Sequence, residues 1–153
     1  MSSAEDLLTV LTDRTDLGRP VMLHSLAGFL DAGAAGRIGV QHLLEHLEHE
    51  TLATFDIDEL YDYRARRPPM SFLTDHYGQI ELPELELAEL HDDAGRTFLL
   101  LHGPEPDFRW QRFAGAVVSL VRRFDVSLVV GMHAVPFPAP HTRPIGVTAH
   151  SAD

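Results

Sequence analysis
Residues Pro20–Gly39 read PVMLHSLAGFLDAGAAGRIG, and this stretch decides the fold. Val21-Met22-Leu23, continued by Leu26 and Ala27 and bounded by Pro20 and Gly28, is a short apolar run. Such a run fits a strand buried on both faces, as in a parallel sheet. Asp31 follows at the point where a helix would begin, and a carboxylate there can accept the free N–H groups of a first helical turn. Gly33, Gly36 and Gly39 sit three apart, and a glycine ridge lets a helix approach a strand closely because no Cβ intervenes. The alternative reading is an anion or ligand loop at a helix N-terminus. The spacing is neither G-x-G-x-x-G nor G-x-x-x-x-G-K-[ST], and Asp31 would repel a phosphate, so the phosphate signal is weak.

Outward from this stretch the same grammar repeats. A helix is expected over about 32–50, with Val40, Leu43, Leu44 and Leu47 as its apolar stripe. Thr51–Ile57 has strand character. Gln79–Asp92 alternates, with Leu85 and Leu87 among Glu84, Glu86 and Glu89, which reads as antiparallel edge strands with one wet face. Thr97–Leu101 is a second buried strand, ending at Gly103-Pro104. A helix over about 107–124 follows, and Val126–Met132 is a third buried strand. Pro136, Pro138, Pro140 and Pro144 enforce an extended loop, after which Ile145–Ala149 has strand character. Two strand–helix–strand units predict an α/β domain, a three-layer sandwich with a mostly parallel sheet. Residues 1–19 read as an N-terminal arm and 20–153 as one domain; no closing helix follows the last strand, so either a partner supplies the missing layer or the domain is incomplete at its C-terminus.

Composition bounds the partners. The chain has 153 residues, 23 acidic against 12 basic ones, and a formal charge of −11. That sign opposes binding to nucleic acid and to anionic lipid. With no cysteine, neither disulfides nor thiolate chemistry is available. There is no secretory leader pattern and no apolar run of 18 residues. A soluble cytoplasmic protein is expected, and no motif calls for a cofactor.

Three apolar strands pointing the same way would gather their exit loops on one rim, where ligands of open α/β sheets bind. That rule assembles a candidate ligand site from Gly28, Asp31, Gly33, Gly103, Glu105, Arg109, His141 and Arg143. Asp107 and His133 fall on the same loops. Carboxylate, imidazole and guanidinium groups could bind a small anion or do acid/base work there. They could equally be solvated loop groups, helix caps and ion pairs. His42-Leu43-Leu44-Glu45-His46 matches H-x-x-E-H, but the leucines define the buried stripe, so the histidines face the polar side and no metal is expected. Tyr61, Arg64, Arg67 and Pro68, with Arg66 among them, form a basic, tyrosine-rich segment in an acidic chain. It suits a protein interface, or an exposed turn paired with Asp58, Glu59 and Asp62.

Four blocks, VMLHSLAGFLDAGAAGR, TFDIDELYDYRARRPPM, FLLLHGPEPDFRWQRF and VVGMHAVPFPAPHTRPIGVTAH, occur in order between residues 21 and 150. Together they resemble the actinobacterial branch of the proteasome assembly chaperone (PAC-type) family. The matching positions are Gly28, Asp31, Gly33, Arg64, Arg67, Pro68, Gly103, Glu105, His141, Thr142, Arg143 and Pro144. His24 and His133 depart from the family's small or apolar residues, and the chain looks like the N-terminal portion of the family domain. The resemblance implies a sandwich similar to the nucleoside phosphorylase-like fold. It also implies self-association, as a trimer, and a link to proteasome-related proteins. The leading expectation is therefore a non-enzymatic, assembly-chaperone-like interaction protein. The alternative is a binder of, or enzyme for, a small anion or nucleoside-type ligand at the strand-end loops.

Overall fold
A computed structural model describes residues 4–140 and 142–151. Six strands form one sheet, β1 (Leu8–Val10), β2 (Val21–Ala27), β3 (His49–Phe55), β6 (Glu86–His91), β7 (Thr97–Pro104) and β8 (Leu128–Gly131), in the order β1-β3-β6-β7-β2-β8. A separate hairpin pairs β4 (Met70–Leu73) with β5 (His76–Ile80). The helices are α1 (Ala35–His46), the single turn α2 (Ile57–Leu60) and α3 (Trp110–Arg123).

The three apolar strands lie side by side and run the same way, with β2 between β7 and β8. Val21 registers with both Phe98 and Leu128. The other half is antiparallel, β1 to β3, β3 to β6 and β6 to β7. The sheet is therefore mixed rather than mostly parallel. The reason is the connection from β6 to β7, a tight turn at Asp92–Gly95 that cannot return a strand in parallel.

Alternation along the strands sends side chains to two layers. Leu99 and Leu101 of β7 and Met22 of β2 meet Phe113, Ala116 and Leu120 of α3, and Phe124 just beyond it. Leu100 and Phe98 face the other way, with Ala88, Leu90 and Leu23, toward Val40, Leu43, Leu44 and Leu47. The two helices thus cover opposite faces. Cover on the α1 side is thinner, since no residue of α1 is fully buried.

Three expectations change. Residues 4–10 belong to the body rather than to an arm: β1 pairs with β3 and Leu7 is in the core. β6 is an interior strand, not an edge. Its glutamates are accommodated, Glu89 buried against Arg14 and Glu86 against His102 and Thr51, so alternation with acids did not mean a wet face. No strand forms over 145–149, where Ile145 and Val147 are exposed.

Candidate functional site
The rim above the parallel strands holds a cavity of about 680 Å³. Its walls come from the loop after β2 (Ala27, Gly28, Phe29 and Asp31) and the loop after β7 (Glu105, Pro106 and Asp107), with Arg37, Arg66 and Trp110 closing the sides.

Each wall has a local cause. Glu105 folds back over Gly28 and accepts the Phe29 N–H at 3.2 Å. A Cβ on Gly28 would lie 1.7 Å from Glu105 Oε2, so the carboxylate occupies the space a side chain would need. The Glu105 N–H in turn donates to Ala27 O at 2.9 Å, which zips the two loops together. Asp31 accepts the N–H groups of Gly36 (2.7 Å) and Arg37 (3.1 Å) in the first turn of α1, but it does so from the preceding loop: the N-cap position of α1 is Ala34. Gly36 is where that turn touches β2, because a Cβ there would meet Ser25 Oγ at 2.5 Å. The glycine ridge is shorter than expected: Gly39 faces open space, and Gly33 serves a left-handed turn at φ +65°.

Arg66 ties a distant segment to this rim. Its guanidinium donates to Glu105 O at 2.7 Å, pairs with Asp107 and lies 4.3 Å from the Tyr61 ring centroid. Asp107 also accepts the Asp62 N–H at 2.7 Å. Partial burial works against the Asp107 charge, yet the hydrogen bonds from Arg66 and Asp62 and the Arg66 charge outweigh it. They hold the carboxyl below the usual carboxylate range. Arg37 has no ion pair among the described residues.

Of the sequence candidates, Gly28, Asp31 and Glu105 line the cavity. Gly33 shapes the loop beside it. Gly103 is a packing residue: at φ +135° its missing Cβ leaves room for Glu84 O and Leu85 Cα. Arg109 turns away to pair with Glu59 at 2.6 Å. Arg143 is exposed on the proline-rich segment, outside the cavity, and His141 lies outside the described residues. Among the described residues, the third exit loop meets the rim at Ala134, whose carbonyl accepts the Ala32 N–H at 2.9 Å. Sequence reasoning did not bring in Arg37, Arg66 or Trp110. Arg66 was visible within a basic cluster, but its rim partners are 39 and 41 residues away and no local spacing announces them.

The interface candidates divide as well. Tyr61 stacks on Arg66 and meets Tyr63 edge-on at 5.1 Å. Asp58 accepts the Tyr63 hydroxyl, which raises that phenol to about 12. Glu59 is taken by Arg109, and Asp62 accepts backbone N–H groups of Arg64 and Ala65. The side chains of Arg64 and Arg67 therefore stay exposed and carry no ion pair among the described residues. Pro68 continues the segment toward the hairpin.

Two histidine pairs lie apart from the cavity. His42 and His46 stack on the exposed side of α1, ring centroids 4.2 Å apart, with His46 Nδ1 against His42 O at 2.9 Å. His24 meets His133 edge-on at 5.4 Å. Burial, then the neighbouring imidazole, lowers the His24 pKa below 6.5.

Comparisons with solved structures agree on the architecture. A Mycobacterium tuberculosis protein of unknown function matches at 47% identity with a TM-score of 0.89, covering 94% of this chain and 51% of its own. A Corynebacterium glutamicum protein of unknown function matches at 36% identity and a TM-score of 0.85, over 90% of this chain and 53% of its own. A proteasome-assembly chaperone homologue from M. tuberculosis matches at 26% identity and a TM-score of 0.73, over 81% of this chain and 53% of its own. The chain thus spans about half the length of these proteins. No curated protein matches it. The PAC2 family profile matches residues 25–153, which include every rim residue described above, and the chain belongs to the PAC2 family.

Proposed function
We propose that this protein is a non-enzymatic, assembly-chaperone-like interaction protein that associates with itself and with proteasome-related proteins. The observation that carries this reading is the superposition on the M. tuberculosis proteasome-assembly chaperone homologue, at 26% identity over 81% of the chain. The uncommitted guanidiniums of Arg64 and Arg67 support it, since exposed arginine beside tyrosine is typical of protein interfaces. The reading includes a trimer, a cytoplasmic location and a sandwich of the nucleoside phosphorylase-like kind. Light scattering coupled to size exclusion tests self-association. A mass that is a multiple of 17.0 kDa is expected at micromolar concentration, and a clean 17.0 kDa monomer overturns it. Retention of purified proteasome subunits on the immobilised protein tests the second half, and no retention above a blank surface refutes that half.

A second reading is favoured by the cavity itself. Arg37, Arg66 and Trp110 are among the residues lining a space large enough for a small ligand. The acids there are held by backbone N–H groups or by Arg66, and Arg37, with no ion pair among the described residues, is the guanidinium an anion would meet. A nucleoside phosphate that protects the wild type in thermal shift and fails to protect Arg37→Ala is the expected result. Equal response of the two proteins refutes this reading.

A further inference from the structure
Two imidazoles that lie far apart in the sequence meet at the edge of the six-stranded sheet. His24 stands on β2, half-buried, on the face that alternation shares with Met22 and Leu26. His133 comes just after β8 and is exposed. Their rings meet edge-on at 5.4 Å, and neither ring has a hydrogen-bond partner among the described residues. The space between them is made by Gly131, which registers with His24. A Cβ there would lie 2.8 Å from His24 Nε2 and 3.2 Å from His133 Nε2. Both nitrogens therefore border the one small volume that a side chain would fill. The backbone on either side is fixed. The Met132 N–H donates to His24 O at 2.9 Å, and the Ala134 carbonyl accepts the Ala32 N–H at 2.9 Å, which holds His133 between two anchors.

We propose that His24 and His133 bind one divalent transition-metal ion through their Nε2 atoms, in the space over Gly131. The class of ion follows from the donors. Two imidazoles, in a chain with no thiolate, suit Cu²⁺, Ni²⁺ and Zn²⁺, whereas Mg²⁺ and Ca²⁺ take oxygen ligands. Burial, with the neighbouring imidazole, keeps His24 uncharged at neutral pH, and the uncharged ring is the one that offers a lone pair. No set of three His, Cys, Asp or Glu side chains that could hold a metal occurs among the described residues. Water therefore completes the coordination shell, and the ion is an exchangeable one rather than a structural core of the closed, four-ligand kind. Metal–nitrogen bonds of about 2.0–2.1 Å require the two Nε2 atoms to turn toward each other, and the exposed His133 ring, tied by no hydrogen bond, supplies that rotation. The bound ion joins β2 to the segment after β8, beside the contact of Ala134 with Ala32. It thereby secures the third exit loop to the sheet, whatever partner or ligand the rim takes.

The test strips the full chain of metal with EDTA and titrates it near neutral pH with CuCl₂, NiCl₂, ZnCl₂ and MgCl₂ by isothermal calorimetry, with circular dichroism as a folding check. Wild type is compared with His133→Asn, Gly131→Ala and His42→Asn/His46→Asn. The last of these removes the stacked pair on α1, which offers the same ions a second chelate. Gly131→Ala keeps both imidazoles and fills the space between them, so it separates this site from histidine content alone. The expected result is a tight phase of one ion per wild-type chain, strongest for Cu²⁺ and silent for Mg²⁺. In His133→Asn and Gly131→Ala that phase should weaken by about tenfold or more, the least that loss of even an outer-shell partner costs a metal site. The α1 variant should keep it. Wild-type affinity in His133→Asn or in Gly131→Ala overturns the proposal. So does loss of the tight phase in the α1 variant, or a wild type that binds no Cu²⁺.

Discussion

Replacing Gly103 by alanine is the sharpest test of how the rim is built. Gly103 precedes the last residue of β7 and has φ +135°, a conformation that alanine adopts only with strain, typically about 1–3 kcal/mol. Its Cβ would stand 2.3 Å from Glu84 O and 2.6 Å from Leu85 Cα. Both obstacles are backbone, so neither can swing aside as a flexible side-chain end would. Leu85 is buried, and its carbonyl accepts the Phe55 N–H at 2.9 Å, so displacing it disturbs β3 as well. Overpacking of this kind costs about another 1–3 kcal/mol, for a combined loss of roughly 4 kcal/mol. At roughly 2–4 °C per kcal/mol for a domain of this size, Tm should fall by about 8–16 °C. Gly39→Ala is the matched control. Gly39 lies inside α1 with nothing within 4 Å of the added Cβ, so removing its chain entropy should raise stability by about 0.5–1 kcal/mol. Differential scanning calorimetry of the three proteins decides the matter. Gly103→Ala melting within 2 °C of wild type would show that the approach of β7 to the 84–85 segment is not as described.

Further substitutions probe the rim and the core beside it. Arg66→Ala removes the Glu105 carbonyl bond, the Asp107 pair and the Tyr61 stacking together, so a loss of about 2 kcal/mol is expected, read as a lower urea midpoint; an unchanged midpoint contradicts the bridge. Gly28→Ala should expel the Glu105 carboxylate, and in a double-mutant cycle Glu105→Ala should relieve most of that cost; strict additivity would mean the two do not touch. For His24, the folded pKa lies below 6.5, so the unfolded chain binds more protons in the window just under that value. Its contribution to stability is complete above pH 6.5 and is lost as pH falls through the window, and His24→Asn should flatten that part of the Tm profile. Parallel profiles for wild type and variant would refute it.

How much of this was legible follows from what sequence pattern encodes. β2, β7 and β8 were readable because strands covered on both faces need unbroken apolar runs, and Val21–Leu23, Phe98–Leu101 and Leu128–Val130 supply them between proline and glycine stops. Their common direction, and hence the shared rim, followed from the helices between them. The antiparallel half was harder. Glu86 and Glu89 carry the signature of a wet face, yet Arg14, 75 residues from Glu89, makes burial tolerable, and such a partner leaves no trace in local periodicity. The hairpin escaped for a different reason. Its turn passes through Thr74 at φ +51°, where an asparagine or glycine would have advertised the reversal. Within the site, Gly28, Asp31 and Glu105 were found because backbone geometry and capping are local properties. Arg109 was misassigned because any arginine at a strand end looks available until its partner, here Glu59, is known.

Charge constrains the self-association proposed above. Copies carrying −11 each repel one another at long range, which slows their encounter at low salt. Once docked, the screening length of roughly 8 Å at physiological ionic strength confines the balance to neighbouring groups, and the proposed interface sets Arg64 and Arg67 against acidic side chains of a second copy. Assembly should therefore respond to salt in two ways. Raising ionic strength from very low values should speed association by damping net repulsion. Raising it further should weaken the docked state through the arginine pairs. An interface without such pairs would not weaken over the second range. A maximum at intermediate salt in the wild type, displaced or absent in Arg64→Glu/Arg67→Glu, is the signature expected of an interface that uses these arginines. A monotonic salt response in the wild type would refute the part assigned to them.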